Sequence, residues 1–409
     1  MYKHNQQCRI CKSEKLVKFL DLGNQPLANS FLKNKEEFKT EKTYPLVVYF
    51  CSECNLVQLL DVVSKEVMFS NYIYFSSGMP KLSEHFKNYA DEVITKFLHP
   101  EDLVVEVASN DGILLKHFKD KGFQVLGVDP AENVAKIAQN MGVETIVDFF
   151  SEILAKKIVS EKGKAKVILA NNVVAHIDNH HDLAKGVMQL LDEDGVFVFE
   201  APYLVDMFEN LTYDTIYHEH LSFLAVRPLQ TLFNQFGLEL FDVQIQPVQG
   251  KSLRGFVGKQ GKREVSAEVK RLVELELTLK LNTLEAYKNL AQRVETQKRQ
   301  LFQLLIELKQ QGKKISAYGA PAKGNTMLNY CGIGPEILDY ALEDLSAKQN
   351  LFTPGMHILT VDALYAHNHE PDYYLMLAWN YETAILEKEQ KYLNAGGKFI
   401  IPVEGIRIV

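Results

Sequence analysis

The chain has 409 residues, 46% of them hydrophobic and 24% charged, with a formal net charge of -7. At roughly 100–200 residues per domain this length predicts two to four domains, and the apolar content is that of a chain that folds without staples, which argues against disorder. The negative balance argues against nucleic acid or an anionic membrane as the main partner, since both bind basic patches.

The opening "MYKHNQQC" carries no apolar core of a secretory signal, and no run approaches the ~18 apolar residues of a membrane span, so a cytoplasmic protein with no membrane partner is expected. Thiols stay reduced in that compartment, yet four of the five cysteines stand in two C-x-x-C pairs, "CRIC" and "CSEC". Cys8, Cys11, Cys51 and Cys54 are therefore predicted to form a four-thiolate zinc site. Its role is structural, because four protein ligands leave no coordination position for water or substrate. The ion would organise residues 1–75, a segment too short to build a core of its own. Cys331, in "NYCGIG", has no partner motif and reads as a small buried hydrophobe before a turn.

From residue 80 onward helix and strand signals alternate. "KLSEHFKNYADEVITKFL" is an amphipathic helix; "DLVVEVASNDGILLKHF" runs from an apolar strand through a polar turn into a helix; "FQVLGVDP" is a strand ending in an acid, followed by the helix "AENVAKIAQNMG". "KVILANNVVAHI", the helix around "HDLAKGVMQLL" and the strand "GVFVFEAPY" complete a doubly wound parallel sheet, whose ligands bind beyond the carboxyl ends of the strands. Asp129, 17 residues past Gly112, is placed to accept hydrogen bonds from a ribose. Three glycines would mark a dinucleotide, G-x-G-x-x-G, whereas "EVASNDG" offers one. An acidic, glycine-poor turn suits a cationic ligand without phosphates, which favours S-adenosylmethionine (SAM), although Asn, Asp and Gly also serve such turns for their backbone preferences alone.

Between Arg263 and Gln311 there is neither Gly nor Pro, and apolar residues recur at helical spacing, so a helical bridge is predicted. "KKISAYGAPAKGNTMLNY" then reads as strand, small-residue loop and helix, with "YYLMLAWN" and "GGKFIIPV" as further strands. Such a loop aims N–H groups at an anion, with Lys323 placed to neutralise a phosphate. The alternative is that Gly319 and Gly324 serve a tight crossover and Lys323 is solvated. The expected fold is thus α/β: a small N-terminal four-cysteine zinc module, a central doubly wound Rossmann-like domain, and a second Rossmann-like domain at the C-terminus.

"CRIC", "DLGNQPLANSFL", "CSEC", "YFSSG", "SNDGILL", "YHEHLSFL", "YGAPAKGNTMLNYCGIGP" and "KQNLFTPGMHI" together resemble the SAM-dependent nucleotide-sugar C-methyltransferases, over essentially the whole chain. The resemblance implies a zinc module (1–75), a SAM domain (76–262), the helical bridge (263–311) and a C-terminal domain (312–409) that helps hold a nucleotide-sugar, with dTDP the expected nucleotide. Glu106, Ser109, Asn110, Asp111, Gly112, Asp129 and Asn171 are the expected SAM contacts. C-methylation beside a keto group needs a base to make an enolate and a donor for its oxygen. The Tyr-x-Glu-His unit of this family maps onto Tyr217, Glu219 and His220: His220 the base, with a pKa near neutrality, Glu219 a second acid/base or orienting carboxylate, Tyr217 the donor. The family also implies Asn172 and His176 in the active site and one tyrosine of "NYIYFSSG" in the substrate pocket, with Tyr72 preferred over Tyr74, and it favours Lys323 as a nucleotide-sugar contact; Ser76 and Ser77 are read as ligands for diphosphate oxygens, and Arg254 as available to the phosphates or a sugar oxygen.

Two positions depart from the family pattern. Ala108 stands where glycine is usual, tolerable if its backbone is in an ordinary region, and Lys251 stands where a second glycine usually precedes "SLR". On a strand, His218 and His220 would share a face and with "HIDNHHD" suggest a metal-dependent O-methyltransferase, but no matching set of carboxylates accompanies them. His180 and His181 are read as solvated at a helix start. A small-molecule O- or N-methyltransferase and a zinc-ribbon adaptor for nucleic acid are the other classes considered; the oligomeric state is not legible.

Overall fold

A computed structural model describes residues 2–69, 80–248 and 250–409. Tyr72, Tyr74, Ser76 and Ser77 lie outside the described residues.

The N-terminal module is an antiparallel sheet of strands β1 (Leu16–Pro26), β2 (Thr43–Cys51) and β3 (Val57–Leu59). Its fourth strand comes from far along the chain: Ser222–Phe223 pairs with β3, Ser222 opposite Gln58 and Phe223 opposite Val57. The two C-x-x-C knuckles close alike, Lys12 N–H on Cys8 C=O at 3.1 Å and Asn55 N–H on Cys51 C=O at 2.9 Å. In both knuckles the residue after the second cysteine is left-handed, Lys12 at φ 61° and Asn55 at φ 67°.

The central sheet runs in the order β9-β10-β8-β7-β4-β5-β6, where β4 is Leu103–Val107, β5 Gln124–Val128, β6 Thr145–Ile146, β7 Ala165–Asn171, β8 Leu191–Pro202, β9 Leu238–Gln246 and β10 Ser252–Lys259. The strands from β6 to β8 are mutually parallel, and β10 and β9 extend the edge antiparallel. β4 is buried along its whole length, as its apolar run requires when helices cover both faces. The chain order reverses between β4 and β7, and a ligand crevice opens at such a switch point beyond the carboxyl ends.

The Gly- and Pro-free stretch forms two helices, Ala267–Thr278 and Leu284–Gln310, broken at Lys280, whose φ is 57°. The longer helix carries the N-terminal module: the Tyr287 ring lies 5.0 Å from Phe19 and 4.8 Å from Phe50. The C-terminal sheet, β13-β12-β11-β14-β15-β16, comprises β11 (Ile315–Tyr318), β12 (Ala341–Leu342), β13 (Thr360–Val361), β14 (Tyr373–Met376), β15 (Lys398–Ile401) and β16 (Arg407–Ile408), all parallel except β16. It too reverses, between β11 and β14. The N-terminal module is tied to it by Asn325 Nδ2 on Ala28 C=O at 2.8 Å and by His357 on Glu41 at 2.8 Å. Among the described residues no helix is long and apolar enough to cross a membrane.

Candidate active site

Cys8, Cys11, Cys51 and Cys54 converge with all four sulfurs within 4.8 Å of one another. Two of the gaps, Cys8 to Cys54 and Cys11 to Cys51, are 3.5 Å. Tetrahedral zinc with bonds of about 2.3 Å needs sulfur separations of roughly 3.8 Å, so a small adjustment fits the ion. The knuckle also docks on the central domain. Arg9, buried between the first two ligands, donates from Nε to Asp178 Oδ1 at 3.1 Å, and His181 Nε2 reaches Ile10 C=O at 2.6 Å. His180 is buried against Val174 C=O at 3.1 Å. Neither histidine is the solvated residue expected, because the zinc knuckle and the sheet cover this helix start.

A cleft of about 1200 Å³ opens where the three parts meet. That exceeds the ~300–1,000 Å³ typical of a pocket for one small ligand. One wall is the switch point of the central sheet. The loop after β4 winds through left-handed residues, Ala108 at φ 56°, Asn110 at 49° and Gly112 at 78°, and Asn172 after β7 is left-handed too, at 53°. Ala108 therefore sits in the conformation that its usual glycine would favour, not in an ordinary region, and the strain is held at the ligand wall. Gly112 is required by contact as well: a Cβ there would meet the Ala138 Cβ at 2.9 Å.

Asp129 ends β5 with both oxygens set by backbone donors, Oδ2 by Asn110 N–H at 2.8 Å and Oδ1 by Ala131 N–H at 2.9 Å. Burial pushes the Glu106 carboxyl up to about 8 against the hydrogen bond from Asn171 Nδ2, 3.1 Å away. Glu106 Oε2, Ser109 Oγ, Asn171 Oδ1 and Asn172 Oδ1 are buried without a hydrogen-bond partner. A wall that offers the fixed Asp129 carboxylate and unpartnered polar oxygens, and is poor in cations, fits a cationic, hydroxyl-rich ligand such as SAM.

Opposite stands the segment from Asp214 to Phe223, which is a tight turn at the YHEH motif rather than a strand. His218 consequently points to Tyr44 C=O at 3.3 Å, away from His220. His220 holds Thr215 C=O through Nδ1 at 2.7 Å, and its Nε2 meets the Tyr217 hydroxyl at 2.8 Å. That pairing makes Nδ1 the protonated nitrogen and leaves Nε2 to accept the phenol proton. Burial drives the His220 pKa down to about 4, the Thr215 carbonyl opposing and the Lys323 charge adding to the fall. An unperturbed histidine was expected; in the free protein His220 is neutral and weakly basic. The His176 ring lies 5.0 Å from that of His220 and 5.8 Å from Phe69, its own pKa well below the ordinary value through burial and His220. Glu219 Oε1 accepts from Asn29 Nδ2 at 2.6 Å, so the N-terminal module fixes this carboxylate.

The third wall is the switch point of the C-terminal sheet. Gly319, at φ 82°, is needed for the close crossover, since a Cβ there would lie 2.9 Å from that of Ala378. Lys323 is half-buried in the cleft with Nζ 3.8 Å above the Trp379 ring, and it is not solvated. Arg254, expected at the substrate, stands apart from the cleft lining. It is buried on β10, donating to Glu200 at 2.6 Å and Glu92 at 2.7 Å over the Tyr89 ring. Both carboxylates consume its charge, which makes it a brace. Lys251 lines a separate cavity of about 20 Å³ that also touches His220.

Sequence reasoning missed several residues of this cleft. Asn29 lies within "DLGNQPLANSFL" and Asp214, buried behind the lining, within "DTIYHEHLSF", so motif membership was the available signal. Lys348, half-buried in the cleft wall with its amine lowered by burial, against the pull of Glu343 and Glu219, carried none.

Fold and site define a SAM-dependent methyltransferase built around a zinc centre. Family models match in succession: a zinc binding domain over residues 8–69, a methyltransferase domain over residues 82–243, and the C-methyltransferase C-terminal domain over residues 247–404. C-methyltransferase NovU of Streptomyces niveus is 34% identical over 405 residues, 98% of this chain and 96% of that one. The chain belongs to this C-methyltransferase family. It is a SAM-dependent C-methyltransferase whose four cysteines hold zinc, and the O- and N-methyltransferase and adaptor readings give way. Among solved structures, an S-adenosylmethionine-dependent methyltransferase from Clostridium acetobutylicum is 14% identical with TM-score 0.35, covering 44% of this chain and 92% of its own. Magnesium protoporphyrin IX methyltransferase from Synechocystis is 12% identical with TM-score 0.35, covering 44% of this chain and 83% of its own. The assignment rests on the family models and NovU, not on these.

Proposed function

We propose that the chain methylates a ring carbon of a nucleotide-linked keto-deoxysugar, with dTDP the nucleotide, through an enolate formed by His220. The observation that carries this reading is the Tyr217–His220 hydrogen bond at 2.8 Å, facing a cleft that also admits a cofactor-sized ligand. SAM, bound against Asp129, Glu106, Ser109, Asn110, Asp111, Gly112 and Asn171, supplies an electrophilic methyl group. His220 Nε2 takes the proton beside the ketone, and Tyr217 turns its hydroxyl from Nε2 toward the substrate oxygen. Glu219, aimed by Asn29, and the amide and ring of Asn172 and His176 position the sugar, and Tyr72 is assigned the same task. Tyr74, Ser76, Ser77 and Lys323 complete the substrate side in this assignment.

A base with a pKa of about 4 is weak for carbon acids, but the charge of the substrate changes it. A diphosphate entering the cleft favours the imidazolium, because an anion near a buried histidine raises its proton affinity. The test is solvent exchange. Wild-type protein with demethylated SAM and a dTDP-4-keto deoxysugar should exchange the acidic ring proton for deuterium, and His220→Ala should lose both exchange and methylation by about 10²–10⁴-fold. Undiminished exchange in His220→Ala would put the base elsewhere.

A further inference from the structure

Lys323 is a charged amine in the cleft whose Nζ makes no hydrogen bond to any described residue. It is the second residue of the helix Ala322–Cys331 and is held over the Trp379 ring at 3.8 Å. Trp379 in turn donates from Nε1 to Asp214 Oδ2 at 2.6 Å, while Asp214 Oδ1 is buried without a hydrogen-bond partner. Asp214 precedes Thr215, whose carbonyl holds the His220 ring, and two residues beyond Thr215 is Tyr217. Trp379, under the ammonium, and the imidazole–phenol pair are thus both anchored on one short segment, and the Lys323 charge is felt at His220.

We infer that Lys323 is a catalytic residue of the methyl transfer: its ammonium hydrogen-bonds the substrate's carbonyl oxygen and stabilises the enolate that forms there. This rests on the ketosugar reading above and replaces the expected contact to phosphate. The two differ in when the negative charge appears. Asp214 and Asp206 already face Lys323 from the YHEH segment and the helix Leu204–Asn210, and His220 is neutral on the other side. A diphosphate, fully charged in the ground state, would meet those carboxylates as well as the ammonium. A single negative charge that develops only on the carbonyl oxygen meets an ammonium fixed in advance, where stabilisation is specific to the transition state. Burial brings the Lys323 amine down to about 8, against the pull of Asp214 and Asp206, so it remains largely charged at neutral pH.

The step balances without a further reactant. The ring C–H proton goes to His220, and its electron pair forms the C–C π bond as the carbonyl pair moves to oxygen. When the carbon takes the sulfonium methyl, the C–S pair stays with sulfur and the carbonyl re-forms. Lys323 keeps its protons throughout, and the proton on His220 passes to solvent.

The test compares Lys323→Met and Lys323→Arg in the full-length protein. Calorimetry with SAM and with dTDP gives the binding terms; deuterium exchange and methylation of the dTDP-4-keto deoxysugar give the chemistry. The expected result for Lys323→Met is SAM and dTDP affinities within about twofold of wild type, with exchange and kcat down about 10²–10³-fold. Lys323→Arg should recover part of the rate, since it keeps the charge. A rise in KM and a loss of dTDP affinity with kcat and exchange intact would overturn the inference and restore the phosphate contact. Should Met at 323 also lose SAM affinity through misfolding, Asp214→Asn serves, expected to slow exchange with dTDP affinity kept; unchanged exchange there overturns it. Wild-type protein that exchanges and methylates no ketosugar would instead refute the function on which the inference rests.

Discussion

His220 shows how far its surroundings move a residue from its free chemistry. Burial and the nearby Lys323 ammonium bring it to about 4, and only the Thr215 carbonyl works against them. NMR titration of the His220 ring should therefore give a midpoint well below 6.5 in the free protein and a higher one with dTDP bound; a midpoint near 6.5 in both states would refute this electrostatic account. Asp129 gives a second residue-level prediction. Asp129→Ala should weaken SAM by about 1.5–3 kcal/mol in calorimetry, the range for hydrogen bonds to a charged group, and unchanged affinity would remove it from the ribose. At this scale the sequence revealed side chains that belong to motifs. Tyr217, Glu219 and His220 could be named from "YHEH", but not the Thr215 carbonyl that fixes the histidine tautomer, since every residue has a carbonyl. Arg254 misled for the same reason in reverse: a strand arginine looks available until Glu92 and Glu200 are folded against it.

The zinc knuckle is the element whose reach exceeds its size. Arg9 and Ile10, between its first two ligands, grip Asp178 and His181 just past His176. Stripping zinc with a chelator, or Cys51→Ser, should raise hydrogen exchange over residues 174–182 while SAM affinity persists. Protection unchanged in that segment would show that the knuckle does not hold it. The covered helix start has a pH consequence. Burial takes His180 from 6.5 to about 4, so between these values the unfolded chain binds a proton that the folded one does not, and stability falls as pH falls. Relative to a His180→Gln variant, wild type should lose about 1.6 kcal/mol of urea-measured stability from pH 6.5 to 5, the slope rising toward roughly 1.4 kcal/mol per unit as the unfolded histidine becomes fully protonated; a constant difference would contradict it. Apolar strands such as Leu103–Val107 were legible because burial on both faces needs an unbroken apolar run. The backbone of Ala108 was not, since its left-handed φ is imposed by the crevice and not by alanine.

At the scale of the whole molecule, zinc module, central sheet and C-terminal sheet each contribute one wall of a single cleft, and a strand from the YHEH segment is woven into the module's own sheet. The order of parts was legible from cysteine spacing and from alternating helix and strand signals. Their convergence was not: Asn29 on Glu219 joins residues 190 positions apart, and Asn325 on Ala28 joins residues 297 apart. Such contacts leave no periodicity to read. They also explain why a zinc-organised segment belongs to a chain this long, since without it Glu219 loses its partner. The most direct measurement is product analysis after incubating the purified protein with SAM and a panel of dTDP-4-keto deoxysugars. The account predicts a sugar heavier by one methylene, with mass fragmentation and NMR placing the new methyl on a ring carbon beside the ketone. A methyl found on oxygen or nitrogen, or a protein that binds SAM yet methylates no member of the panel, would contradict it.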